Sequence, residues 1–118
     1  MSAYAVPSSP VVWDTGVLQG LFGNDEVLIR SVVDTFLDSM TNSVADLASA
    51  VAAGHLPVVV ELAHRIKGAS RMSGALALAE AAGELEQLAR YRADAAPLLS
   101  GVAWLHREWE RVQQACTP

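Results

Sequence analysis

A chain of 118 residues is one domain's worth of sequence, enough for a single core and too short for two. It is 52% hydrophobic, rich in alanine and only 6% aromatic, which suits packed helices better than a sandwich or barrel. The formal net charge of −5 argues against a nucleic-acid backbone as the main partner, because that contact needs a dense basic surface.

In chain order, residues 1–11, with Pro7, Ser8, Ser9 and Pro10 together, read as a flexible lead-in to a domain spanning residues 12–116. The lead-in has no basic start and no long apolar run, unlike a signal peptide. A short helix is predicted from near Asp14, with Leu18, Leu21 and Phe22 as its apolar side and Gly23 as its stop. Asn24 is then the expected N-cap of a long helix, with Asp25 and Glu26 suiting its positive end. Ile29, Val33, Phe36, Met40, Val44, Leu47 and Val51 recur there at steps of three or four until Gly54.

Pro57 fits the first turn of a further helix that starts around Leu56 and ends near Gly74. Its apolar stripe is Val59, Leu62, Ala63, Ile66 and Ala69. Residues 75–92 read as another helix, with Leu78, Ala82, Leu85, Leu88 and Ala89 inward. A last helix after residues 95–97 carries Leu98, Val102, Leu105, Trp109 and Val112. No segment alternates with period two for long, and no stretch approaches the roughly 20 apolar residues of a membrane span. Short connections between long amphipathic helices predict an all-α, antiparallel up-and-down four-helix bundle with a short extra N-terminal helix.

The stretch "LAHRIKGASRMSGAL" holds the chemistry. At about 100° per residue, Val59, Leu62, Ile66 and Ala69 share the core side, and His64, Lys67, Gly68 and Arg71 share the opposite one. His64 is therefore expected in solvent, with Lys67 and Gly68 as its neighbours at i+3 and i+4. Ser70 falls nearer the boundary of the packed side. A mid-helix glycine costs roughly 1 kcal/mol against alanine, but beside His64 it leaves a notch for a close approach. Lysine supplies positive charge for an anionic group held on the ring. A neutral imidazole offers a nucleophilic nitrogen. The set suits a histidine that accepts a phosphoryl group from a visiting partner, and Val60 on the same face offers that partner an apolar contact.

"HRIKGASRMSGA" resembles the signature H-x-x-K-G-x-S/A-x-x-x-G-A of histidine-containing phosphotransfer (HPt) domains. The flanking stretches "VLQGLFGNDEVLIRSVVDTFL" and "LAEAAGELEQLAR" also look like that family's helices, so the likeness covers most of residues 13–115. It implies a phosphorelay carrier rather than an enzyme, with His64 as phosphoacceptor and Lys67 stabilising the phosphoryl charge. Gly68 would give clearance to the docking receiver, and Ser70, Gly74 and Ala75 would be structural supports. The implied partners are response-regulator receiver domains or a hybrid sensor kinase. No cofactor is implied on this chain, since receivers bring their own Mg²⁺. Arg71 departs from the usual small residue at its position, and with Val60 and Gly68 it would shape the docking face. The rival expectation is an HPt-like bundle acting as a non-phosphorylated docking or inhibitory adaptor.

An isolated histidine on a helix is by default an ordinary surface residue; only the joint spacing of Lys67, Gly68, Ser70 and Gly74 reverses that for His64. His55 reads as part of the turn before Pro57. His106 and Glu110 lack a third ligand, so no metal site is expected. Trp109 fits the core and Trp104 its edge. Gly16, Gly20 and Gly23 have neither nucleotide-loop spacing nor a preceding strand, so ATP-dependent autokinase chemistry is not expected. Cys116 is the only cysteine, a free thiol that suits a reducing compartment. The chain is accordingly expected to be a cytoplasmic monomer.

Overall fold

The computed structural model describes residues 10–117. Among them the chain forms five α-helices and no strand: α1 (Thr15–Phe22), α2 (Glu26–Ala53), α3 (Leu56–Ser73), α4 (Leu76–Arg90) and α5 (Ala95–Cys116). Residues 1–9, most of the expected lead-in, lie outside the described residues. Val11, placed in that lead-in by sequence, is tied down: its carbonyl accepts the Ala77 N–H at 2.9 Å. This bond caps the start of α4, where Ala75 has no side-chain oxygen to offer.

The helix boundaries have local causes. The Asp14 carboxylate accepts the Gly16 N–H at 2.9 Å and caps α1. Asp25 rather than Asn24 caps α2, accepting the Leu28 N–H at 3.0 Å. Both residue types cap well, and the carboxylate adds attraction to the positive helix end. Gly54 and Gly74 close α2 and α3 with φ of 72° and 104°, which side chains rarely adopt. Pro57 sits in the first turn of α3.

α2 packs on α3 and α5, α4 packs on α3 and α5, and α1 rests on α2 and α3. Phe36, Met40, Leu47, Ile66, Leu78, Leu85, Leu105 and Trp109 are among the buried core, with Trp104 half-buried at its edge. Trp13 ties the segment before α1 to α2 by a tilted ring contact with Phe36, 5.9 Å between centroids. No helix among the described residues is long and apolar enough to cross a membrane.

The expected stripes need corrections. Leu21 and Phe22 are exposed, because an eight-residue helix lying on two partners fully buries only Leu18. On α3, Leu62 and Ala69 are half-buried, whereas Ser70 and Ser73 are buried. The buried arc is turned towards Lys67, since α4 is the helix against which α3 packs most extensively. Buried Ala77, Ala79, Ala81, Ala82 and Ala89 on α4 let the two helices come close. Leu88 and Val102 are half-buried rather than central. α4 ends at Arg90, so Tyr91 and Arg92 belong to the turn before α5, with Arg92 at φ 54°.

Candidate functional site

The close α3–α4 contact gathers four charged or titratable side chains. His64 leaves α3 one residue after fully buried Ala63, and its side chain is 63% exposed. From α4, Glu86 comes up between the helices with only 3% of its side chain exposed. His64 Nδ1 lies 3.1 Å from Glu86 Oε2. Lys67 Nζ is 2.7 Å from Oε1, and Arg90 donates to Oε2 from Nη2 at 2.8 Å and Nε at 3.2 Å.

These contacts set the protonation pattern. Burial pushes the Glu86 carboxyl pKa up, but hydrogen bonds from Lys67, Arg90 and His64 outweigh it and bring it down to about 2. The carboxylate is ionised at neutral pH and its oxygens can only accept. In the neutral imidazole, His64 Nδ1 therefore carries the proton, and Nε2 keeps its lone pair. The tautomer follows from the hydrogen-bond network.

Lys67 is not on the open solvent face that its spacing predicts. Its side chain is only 19% exposed, because a long stem lies along the helix interface to reach a buried partner. Gly83 on α4 makes room for it: a Cβ there would stand 3.2 Å from Lys67 Cδ. With Glu86 counted, the Lys67–Glu86–Arg90 group keeps one net positive charge beside the imidazole.

Gly68 is exposed, and a Cβ built on it would meet nothing within 4 Å. Nothing among the described residues requires glycine there. Val60 is half-buried and lines a hollow of about 530 Å³ with Pro57, Ala89, Arg90, Tyr91 and Arg92. That hollow starts one helical turn from His64. Arg71 is exposed in the last turn of α3, where a cation suits the helix dipole. Met72, which the sequence reading passed over, is also exposed there.

Ser70, Gly74 and Ala75 are buried. The Ser70 carbonyl accepts the N–H groups of Gly74 at 3.0 Å and Ala75 at 2.8 Å, closing α3. The Ser70 hydroxyl itself is buried without a hydrogen-bond partner among the described residues. Gly74 combines positive φ with close approach, since a Cβ would overlap the Asp14 carbonyl oxygen. The Asp14 N–H in turn donates to the Gly74 carbonyl at 2.8 Å, pinning the start of α1 to the end of α3.

Other sequence candidates stand outside this cluster. His55 is exposed at the start of α3, and His106 and Glu110 are exposed on α5. No group of three side chains suited to a metal occurs among the described residues. Cys116 is buried, and burial pushes its thiol pKa up, away from reactive thiolate. An apolar pocket of about 440 Å³ between Trp13, Leu18, Ile29, Val33 and Cys116 contains none of the side chains around His64.

Sequence reasoning missed Glu86, Arg90 and Gly83. One signal was present: Glu86 falls on the inward stripe Ala82, Leu85, Ala89, and a lone carboxylate at such a position needs a cationic partner. Residues 31–115 match the family described as Hpt domain. No curated protein and no solved structure gave a significant match.

Proposed function

The chain belongs to the Hpt domain family, the histidine phosphotransfer domains of two-component signalling that work with receiver domains and kinases, and from that premise we propose that His64 is its phosphoacceptor in a multistep relay. The observation that carries the assignment is the exposed imidazole whose Nδ1 is held by a buried carboxylate, beside a glycine with open space around it. Nε2 is then the attacking nitrogen. Its lone pair forms the N–P bond to the phosphorus of a receiver's aspartyl phosphate, and the P–O bond breaks with its electrons leaving on the aspartate carboxylate. Nδ1 keeps its proton.

Two further roles follow in this reading. The net positive charge of Lys67, Arg90 and Glu86 meets the arriving phosphoryl group. Gly68 leaves clearance for the receiver backbone, with Val60 and Arg71 on the docking face. In-line transfer requires the reacting atoms close together and water kept out, which a receiver seated over the His64–Gly68 surface provides. Ser70, Gly74 and Ala75 support the helix end. The reading includes an antiparallel arrangement of α2–α5, supported by the two-residue links Gly54–His55 and Gly74–Ala75. It also takes residues 12–116 as the functional unit, a cytoplasmic monomeric carrier without its own cofactor, with Mg²⁺ on the receiver.

Phosphotransfer from a panel of labelled receivers to the wild type and to His64→Gln tests this. Label should reach only the wild type, be lost in acid and persist in alkali, as a phosphohistidine does. If a folded wild type takes no label while a receiver still binds, the chain is a docking adaptor instead.

A further inference from the structure

The Glu86 contact has a role after the phosphoryl group has arrived. In a ring phosphorylated on Nε2, Nδ1 is the remaining titratable position. If Nδ1 is bare, the phosphoryl group departs from an imidazole that must take up negative charge, a poor leaving group. If Nδ1 keeps its proton, the ring is cationic, and breaking the N–P bond returns its electron pair to Nε2 and releases a neutral imidazole. The second route is the fast one, and it is why phosphohistidine is labile in acid.

We infer that Glu86 holds the Nδ1 proton of His64 through the whole transfer cycle, so that phosphorylated His64 is a ready donor at neutral pH rather than a store. The inference rests on the reading of His64 as phosphoacceptor. The charged groups around the ring come from two helices. α4 supplies Glu86 and Arg90, and α3 supplies Lys67 and the exposed Glu61–Arg65 pair, which is internally satisfied at 2.7 Å. Of these, the only one hydrogen-bonded to the ring is Glu86, at 3.1 Å from Nδ1. Lys67 pairs with the other oxygen, Oε1, and Arg90 donates to Oε2, the oxygen that faces the ring.

The step balances without any other reactant. On loading, Nε2 forms the N–P bond, the aspartate takes the P–O electrons, and Nδ1–H stays. On donation the same bonds reverse towards a second aspartate. No proton enters or leaves in either direction. Glu86 is a positioning residue, since it touches the ring and not the phosphorus. An amide in its place lacks the charge, and by turning its NH₂ towards Nδ1 it would favour the bare nitrogen.

The test uses the full chain, phosphorylated with phosphoramidate so that no receiver is required, with phosphorylated His64 followed by its own ring NMR signals apart from the exposed His55 and His106. The first readout is the pH profile of phosphohistidine loss in wild type and Glu86→Gln. The midpoint of the Gln variant should lie lower by about one pH unit or more, the usual size of a nearby-charge effect. Its half-life at pH 7.5 should be correspondingly longer. Superimposable profiles would overturn the inference. The second readout needs no variant: ¹⁵N titration of Nδ1 in the phosphorylated wild type, beside free phosphohistidine. A midpoint about one unit above the free compound is expected, and one at or below it would overturn the inference. If every receiver fails to exchange label while these profiles hold, the relay reading falls and the role of Glu86 stands.

Discussion

Gly68 and Gly74 lie six residues apart in one motif, and they are glycines for different reasons. At Gly74 the backbone at φ 104° and the Asp14 carbonyl both exclude a side chain. At Gly68 nothing among the described residues does. Glycine in mid-helix therefore lowers stability with no internal compensation, which points to a requirement outside the chain. Replacing Gly68 with Gln should raise stability by roughly 0.5–1 kcal/mol through helix propensity. It should also slow phosphotransfer from receivers by about tenfold or more, equivalent to at least ~1.4 kcal/mol in the barrier. Urea denaturation and single-turnover transfer rates check the two halves, and unchanged transfer would remove the clearance argument. His64, Lys67 and Gly68 were legible in the sequence as residue types at meaningful spacing. Glu86 was hidden because its partners His64 and Lys67 sit 22 and 19 positions earlier in the chain and on another helix.

Among the elements, the α3–α4 hairpin decides the geometry. Its turn is closed by the Ser70 carbonyl, pinned by Asp14 and capped by Val11, so the stretch of residues 11–14 holds both ends of the turn. Gly74→Ala strains the backbone and pushes on Asp14, and a loss of about 2 kcal/mol or more is expected. Chemical denaturation measures it, and a loss below about half that figure would show that the turn relaxes. The periodicity marked every helix but misplaced the centre of the buried arc on α3. Spacing alone shows which residues share a face. How far that face turns depends on the neighbour, here an alanine-lined α4 that comes close enough to bury Ser70 and to shelter the stem of Lys67.

For the molecule as a whole, charge is unevenly distributed. Five of the eight Lys and Arg residues, namely Arg65, Lys67, Arg71, Arg90 and Arg92, fall between positions 65 and 92 of a chain with net charge −5. A standard interface covers roughly 800 Å² of each partner, so one centred on His64 takes in the Val60–Tyr91 hollow one turn away. Glu86 links this region to global stability. Its carboxyl pKa is lowered from 4.5 to about 2 in the folded chain. A depressed carboxylate contributes stability that is complete above the unfolded value and lost as pH falls through the folded one. Wild-type stability should thus decline from about pH 4.5 towards pH 2 through this group. Glu86→Gln should be less stable than wild type at pH 7, with Lys67 half-buried and unpaired, and flatter across the acid range. Urea midpoints at several pH values decide this; parallel curves for both proteins would rule it out.

The sequence by itself determined the number and approximate limits of the helices, the exposure of His64 and the family motif around it. Those follow from local causes: a 3.6-residue period, caps, a first-turn proline, and glycines where the backbone turns left-handed. Only the tertiary structure decided that Lys67 pairs with Glu86, that Nδ1 rather than Nε2 carries the proton, and that Val11 caps α4. The first two depend on the register in which two helices meet. That register is set by how their small side chains interlock, a property of the pair that neither helix carries in its own sequence.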